Sequence, residues 1–466
     1  MLFSGIPFLY YFLPVVLIAY YVAPKGVKNG VLLLASLVFY GWGEPKYVFW
    51  MLSSIGLGYG FGLLIEKFQN TSWAKVFLVL SVAFSLGLLG YFKYTNFFIK
   101  NFNSVTGLQL PLLKIVLPIG ISFYTFQLIS YLVDVYWGKV AAQKNLISLA
   151  TYIAMFPQLI AGPIVRYSDV EQQLSERSIT FDKIAYGIRR FVIGLGKKIL
   201  LANVLGEFCA IFRAMDEISV VICWSYAIAV SLQIYFDFSG YSDMAIGLGS
   251  MLGFPFPENF NYPFISKSAT EFWRRWHMTL GTWFRDYVYI PLGGSRCSFG
   301  RMICNLFVVW LLTGLWHGAE WNFVIWGLYF AILLMLEKSF LLKWLEKYSI
   351  IGHWYLLLTV SISFVIFDSA GLSEAFSRIG IMFGNGPIPC MTTVTKYYVS
   401  SYLPVFLIAL VGATPLPKRL VKKITNNTRG KILMDIIEPL IMIGILILAT
   451  AYLVDGAFNP FLYFRF

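Results

Sequence analysis

The sequence predicts an all-α polytopic membrane protein, and three observations carry that expectation. Of its 466 residues, 58% are hydrophobic and 13% charged, against roughly 45–50% and 25% in ordinary soluble domains. The mean hydropathy is +0.72, more apolar surface than a soluble fold of this size could hide. The apolar residues also gather in runs suited to a bilayer, which a helix crosses with about 20 residues. Together these exclude a soluble nucleic-acid-binding protein, a disordered chain and a secreted disulfide scaffold. Residues 1–466 read as a single integral-membrane domain.

The elements follow in order. Met1 to Val22 has no basic n-region and no small-x-small cleavage site, and Lys25 and Lys28 come after the apolar stretch. A signal peptide carries its positive charges in front. Residues 5–23 are therefore a first transmembrane helix, with an extracytoplasmic N-terminus and Lys25 and Lys28 in the cytoplasm. Further spans are expected near 29–43, 47–65, 74–92, 112–133, 146–164, 186–213, 219–237, 302–317, 321–340, 352–369, 398–415 and 432–454. Pro118, Gly162-Pro163 and the glycines of 240–253 interrupt these runs. Broken backbone persists at membrane depth only where protein buries it or it lines a cavity. About ten to twelve true crossings are expected on this basis, the other runs being re-entrant or half-crossing. No internal repeat is evident, which argues against the inverted-repeat transporter folds.

The formal net charge is +13, from 36 Lys and Arg against 23 Asp and Glu. In a polytopic membrane protein such an excess belongs to cytoplasmic loops rather than to nucleic acid. The densest cluster is Lys418, Arg419, Lys422, Lys423, Arg429 and Lys431, between two apolar runs and without an acid. Loop 417–431 is accordingly placed in the cytoplasm. The five cysteines, Cys209, Cys223, Cys297, Cys304 and Cys390, form no C-x-x-C. Neither a disulfide framework nor a zinc site follows, and each is expected to pack.

The segment from Glu258 to Arg301 differs in kind, mixing basic residues with Trp, Tyr and Phe. Ser268-Ala269-Thr270-Glu271 fits a capping box, so a helix should start at Ser268. Glu271 and Arg275 then sit at i and i+4 in the favourable order. Trp273, His277, Leu280, Phe284 and Val288 follow the spacing of one helical face. This reads as an amphipathic helix at the membrane surface or partly inserted in it.

The chain has three histidines, His277, His317 and His353. His317 lies between two long apolar runs, where an ionisable group costs roughly 2.5–3.5 kcal/mol or more and marks a functional site by default. Its bland reading is a neutral imidazole bonded between helices. Gly314 and Gly318 point instead to room beside the ring for a neighbouring group or substrate. A desolvated neutral histidine suits the role of general base toward a hydroxyl or thiol. A second one, His277, could orient the first or stabilise charge at an acyl carbonyl. His353 reads as interfacial. Asp237 and Asp243 read as structural carboxylates bonded to Tyr or Arg of neighbouring helices. No G-x-S-x-G supports a serine nucleophile, and no H-x-x-x-H or H-E-x-x-H spacing supports a metal.

The stretch Glu271-Phe272-Trp273-Arg274-Arg275-Trp276-His277-Met278-Thr279-Leu280, continuing through Trp283 to Gly294, resembles the signature of membrane-bound O-acyltransferases. Gly314-Leu315-Trp316-His317-Gly318 does so too. Leu2-Phe3-Ser4, 117–127, 156–163, 236–243 and 461–466 are similar to the bacterial polysaccharide O-acetylation branch. The resemblance thus spans the whole chain, with its motif-bearing core at 258–340. It implies a ring of helices around a thin centre, with funnels opening toward a catalytic His317 and with His277 beside it. It further implies acetyl transfer from a cytoplasmic thioester donor, most simply acetyl-CoA, across the cell membrane. The implied acceptor is an extracellular polysaccharide hydroxyl or an esterase-like partner protein, with the lipid bilayer as surroundings and no nucleic acid. D-alanyl transfer to teichoic acid is the cousin reaction, and a proton-coupled transporter or flippase is the alternative of another class. Lys267, Arg274, Arg275 and Arg285 are the expected cations for the donor's phosphates. Glu271 would neutralise Arg275, which favours Arg274 and Arg285.

Overall fold

A computed structural model describes residue 1 and residues 3–455, and the described residues contain helices, turns and loops but no strand. Leu2 and the stretch 461–466, both part of the resemblance, lie outside the described residues. Two compact units can be distinguished, Met1–Phe191 with Ser242–Glu258, and Val192–Tyr241 with Asn259–Phe466.

Eight described helices are long and apolar enough to cross a membrane: Pro45–Lys67, Ser72–Thr106, Val220–Leu252, Phe299–His317, Trp321–Lys347, Ser349–Asp368, Thr393–Gly412 and Thr428–Val454. The protein is a multi-pass, all-α membrane protein. Other expected spans fall on shorter helices, Pro7–Val22, Lys28–Gly41, Ile121–Tyr136 and Leu146–Ala154. Pro118 stands in irregular chain ahead of Ile121, and Gly162-Pro163 in irregular chain after a four-residue helix Phe156–Leu159. Both interruptions occur where the sequence places them.

The glycines of 240–253 do not interrupt anything until Gly253. A single helix runs through them from Val220 to Leu252. They are contact surfaces instead. In the first unit a Cβ on Gly247 would stand 2.5 Å from the carbonyl oxygen of Gly187. In the second unit one on Gly240 would stand 2.8 Å from that of Gly194. Glycine here lets two backbones approach as membrane helices do where side chains are small.

The first unit contains an aromatic cluster of Phe3, Phe8, Phe12, Phe39 and Phe156 with ring centroids 4.7–6.3 Å apart. The second unit has a core rich in Trp, Tyr and Phe, built from residues of 202–236, 269–276, 310–334, 356–367 and 375–413. That core holds the motif-bearing segment. Its buried ion pair, Lys198 with Asp237, joins the helical stretch 181–213 to the helix Val220–Leu252.

Candidate active site

The segment 258–301 is not one amphipathic helix. Ser268 caps as expected, its hydroxyl accepting the Glu271 N–H at 3.1 Å. Glu271 pairs with Arg275 at 2.9 Å, also as expected. Yet the helix ends after Ala269–Trp273, and a second begins only at Met278. Backbone competition explains the break. The Asn261 N–H donates to the Arg275 carbonyl at 2.9 Å, and the Met278 N–H donates to the Asn259 carbonyl at 2.9 Å. The chain at 259–261 thus takes backbone groups that a continuous helix would use. Between these bonds His277 adopts a left-handed conformation, φ +45°, which costs a non-glycine residue about 1–2 kcal/mol. Such strain persists where the surroundings over-determine it, as around functional side chains.

A carboxylate that the sequence reading passed over anchors the first short helix. Glu337 is 1% exposed and accepts from the Ala269 N–H at 2.7 Å, the Thr270 N–H at 2.8 Å and the Thr270 hydroxyl at 2.6 Å. It fills the anion-binding end of the helix. Its signal was an acid at the end of the apolar run 321–340.

Asn259 decides the chemistry of His277. Asn259 Oδ1 accepts from the Thr279 N–H at 3.3 Å and the Thr279 hydroxyl at 2.9 Å. Only an oxygen can accept from a backbone N–H, so the amide orientation is fixed. The His277 Nδ1 lies 3.0 Å from that same oxygen and must therefore carry the proton. Nε2 is left with a lone pair, buried and without a partner among the described residues. Burial, with His317 nearby as a second cation when charged, holds His277 well below the ordinary histidine value. His277 is a neutral imidazole whose Nε2 lone pair can accept a hydrogen bond. Asn259 was invisible to sequence reasoning, because nothing local indicates that it meets residue 277.

His317 ends the helix Phe299–His317 and is buried among aromatic rings. Trp316 and Trp326 lie 5.0 Å from it and Phe367 5.4 Å, each edge to face. Trp316 also stands 6.0 Å from His277, and Phe238 packs against His277 at 4.6 Å. The two histidines thus share one aromatic enclosure within the second unit. The indole N–H of Trp326 is buried there with no acceptor among the described residues. A buried donor without an acceptor calls for an explanation, and a bound ligand would supply one.

The flanking glycines make no room for substrate. A Cβ on Gly314 would stand 2.4 Å from the Phe323 carbonyl oxygen, and one on Gly318 would strike the Phe323 ring at 2.2 Å. Gly327 opposite is equally tight, 2.4 Å from the Trp310 carbonyl oxygen. These residues seat the two helices against each other, so the expected cavity beside Gly314 and Gly318 is a packed crossing.

Among the basic candidates, Arg285 pairs with Asp286 at 2.6 Å and Arg275 with Glu271. Arg274 is exposed, with no ion pair among the described residues. Lys267 is half-buried, its backbone N–H donating to Glu271. His353 donates from Nδ1 to the Ser266 carbonyl at 2.9 Å, a structural tie. Asp243 pairs with Arg190 at 2.7 Å and Asp237 with Lys198, as structural carboxylates should. Cys209 and Cys223 pack in the core, whereas Cys304 and Cys390 are exposed and do not.

Comparison with known proteins identifies the family. The family model for membrane-bound O-acyltransferases matches residues 141–368, which include both histidines and Asn259. The chain is 38% identical to a probable alginate O-acetylase, AlgI, of Azotobacter vinelandii, over the full length of both. It is 33% identical to a peptidoglycan O-acetyltransferase of Helicobacter pylori, covering 84% of this chain and 81% of the relative. A teichoic acid D-alanyltransferase of Bacillus subtilis matches at 32% over 53% of this chain and 65% of its own. With a relative this similar over both full lengths, the chain belongs to the membrane-bound O-acyltransferase family, and its activity is O-acyl transfer.

Proposed function

We propose that the protein transfers an acetyl group from a cytoplasmic thioester, acetyl-CoA, to a hydroxyl of an extracellular polysaccharide or of an esterase-like partner protein. The full-length similarity to an alginate O-acetylase supports acetyl over D-alanyl, since the D-alanyltransferase match covers about half the chain. The observation that carries the mechanism is the pair of buried histidines in one aromatic enclosure, one held by Asn259 in the tautomer that leaves Nε2 a lone pair. The acceptor hydroxyl oxygen attacks the thioester carbonyl carbon. A C–O bond forms, the C–S bond breaks, and the hydroxyl proton passes through His317 to the departing thiolate. His277 contributes a lone pair at Nε2, suited to holding the hydroxyl. In this tautomer it has no N–H there for a carbonyl oxyanion, so the thioester-side role first expected of it falls to another donor. Trp326 Nε1 is the donor we assign to that oxygen. Arg274 and Lys267 are our candidates for the donor's phosphates, ahead of the paired Arg275 and Arg285.

The test uses the purified protein in detergent with acetyl-CoA labelled in the acetyl group and a polysaccharide acceptor. We expect transfer or slow hydrolysis of label, lost in His317→Gln. Label that stays on coenzyme A with every acceptor, under conditions where D-alanyl transfer succeeds, would overturn the acetyl assignment.

A further inference from the structure

The first unit contains a cavity of about 1090 Å³ lined from three parts of the chain, 25–28, 172–186 and 246–258. Four cations face it, Lys25, Lys28, Arg177 and Lys183, against two carboxylates, Glu176 and Glu258. One of those carboxylates is already taken. Arg190 holds Glu258 through two bonds of 2.8 and 2.6 Å, and Asp243 at 2.7 Å completes that network. Lys183 is turned to Ser178, donating to its carbonyl at 2.9 Å and its hydroxyl at 2.7 Å. Lys25, Lys28 and Arg177 have no ion pair among the described residues.

Two of these cations, Arg177 and Lys28, are held against one ring, and Lys25 lines the cavity beside them. Arg177 donates to Asn29 Oδ1, and Asn29 is itself fixed by donating to Ser148 Oγ at 3.1 Å and the Leu174 carbonyl at 2.9 Å. The guanidinium stacks 4.8 Å from the Phe254 ring and 5.7 Å from that of Tyr20. Lys28 Nζ sits 4.5 Å over the same Tyr20 ring, and Tyr20 is anchored by its hydroxyl to the Leu252 carbonyl at 2.6 Å. Arg177 Nη1 is buried with no hydrogen-bond partner among the described residues. Burial, then Arg177 and Lys25, pulls the Lys28 ammonium below its ordinary value. Fixing the like charges of Lys28 and Arg177 against one ring is unfavourable, and Glu176 is the one cavity carboxylate not already engaged by Arg190. An anion relieves the repulsion. The fork of arginine with two adjacent ammonium groups matches phosphate oxygens better than a lone carboxylate.

We propose that this cavity binds a phosphate-bearing anion, held by Lys25, Lys28 and Arg177. The site is independent of the acyl-transfer reading and of the histidines. Its ligand is either the headgroup of an anionic phospholipid or a soluble phosphate compound, which share this chemistry.

The experiment uses the full chain. In detergent, binding of pyrophosphate and of adenosine 3′,5′-bisphosphate is measured by calorimetry at fixed salt. In nanodiscs, retention of phosphatidylglycerol against phosphatidylcholine is measured by native mass spectrometry. We expect saturable binding of one class, weakened at least tenfold in the double variant Lys25→Gln/Lys28→Gln. Both lysines lie near the surface, so that variant keeps the fold, and Arg177→Lys separates loss of the fork from loss of charge. The control Lys418→Gln/Lys422→Gln, on an exposed helix elsewhere, should bind as the unaltered protein does. Binding of the bisphosphate alone assigns a soluble ligand, and selective retention of phosphatidylglycerol alone assigns a lipid. No saturable binding of any probe, unchanged binding in the cavity variant, or equal weakening in the control would each overturn the proposal.

Discussion

At the scale of single residues, Asn259 and His317 make opposite demands on a substitution. Asn259→Ala would leave the Thr279 N–H and hydroxyl and the His277 Nδ1 proton without their common acceptor. A buried donor that loses its acceptor costs about 1–3 kcal/mol, and His277 is free to take the wrong tautomer. Loss of the correct tautomer has cost about 10⁴ in a histidine-centred triad, so a fall of a hundredfold or more in kcat is expected here. Asn259→Asp keeps the acceptor oxygen and should recover much of the rate. Equal losses in both variants would show that Asn259 is merely structural. His317 is packed by three rings, so His317→Ala opens a cavity and should lower the detergent melting temperature as well as abolish transfer. Room beside the ring at Gly314 and Gly318, as the sequence suggests, would instead make that substitution mild for stability. His317→Gln fills more of the space and separates the two effects. Trp326→Phe removes one indole N–H while keeping an aromatic ring, and a lost oxyanion donor typically costs about 10²–10³ in kcat. An unchanged kcat in Trp326→Phe would remove that donor from the mechanism. Arg274→Gln should raise KM for acetyl-CoA more than it lowers kcat, because phosphate contacts are the same in ground and transition states.

At the scale of elements, what was legible depended on how local the deciding contact is. The Ser268 cap and the Glu271–Arg275 pair involve residues within four positions, and both stand as the sequence indicates. The break at His277 depends on residues 259–261, some sixteen positions upstream, and the regular spacing of Trp273, His277 and Leu280 gave no warning of it. Period alone describes a helix only where no other backbone claims its hydrogen bonds. Glycines were ambiguous for a related reason. Sequence shows that a side chain is missing, whereas the partner decides whether the space becomes a cavity, a break or a close crossing. At Gly240, Gly247, Gly314 and Gly327 the partner is another helix backbone. Gly327→Ala tests this at the crossing that carries His317. With the Trp310 carbonyl oxygen 2.4 Å from the added carbon, the helices must separate, at a cost of about 1–3 kcal/mol or more. A lower melting temperature and a reduced kcat should appear together, since His317 moves with its helix. Gly300→Ala, with nothing within 4 Å of the added carbon, is the matched control and should be silent. A Gly327→Ala protein as stable and active as the control would show that the crossing has slack.

At the scale of the whole molecule, charge and helix count together constrain the topology. Both basic segments, Lys25 with Lys28 and the cluster from Lys418 to Lys431, are proposed to face the cytoplasm under the positive-inside rule. The second contains the helix Leu416–Thr425, which has no buried residue and no acid. Two segments on one side must be separated by an even number of crossings. Of the eight long apolar helices, only Thr428–Val454 lies beyond Leu416–Thr425, which leaves seven between the basic segments. Seven is odd, so an odd number of the shorter or interrupted helices between them must cross as well. The stretch 181–213 is the one whose length suffices for a straight crossing, while Lys28–Gly41 and Ile121–Tyr136 would cross only with flanking residues included. The prediction is checked by cysteine labelling with a membrane-impermeant reagent, in a background with Cys297, Cys304 and Cys390 replaced. Ser4 is buried and would not report, so the N-terminal probe is a cysteine placed ahead of Met1. Reagent added outside should reach that probe and should reach Asn427→Cys only after the membrane is permeabilised. Labelling of the N-terminal probe but also of Asn427→Cys from outside would put the two basic segments on opposite sides and make seven crossings sufficient. Full reversal of the pattern would instead turn the molecule over. The thioester would then have to reach His317 from the face now assigned to the acceptor.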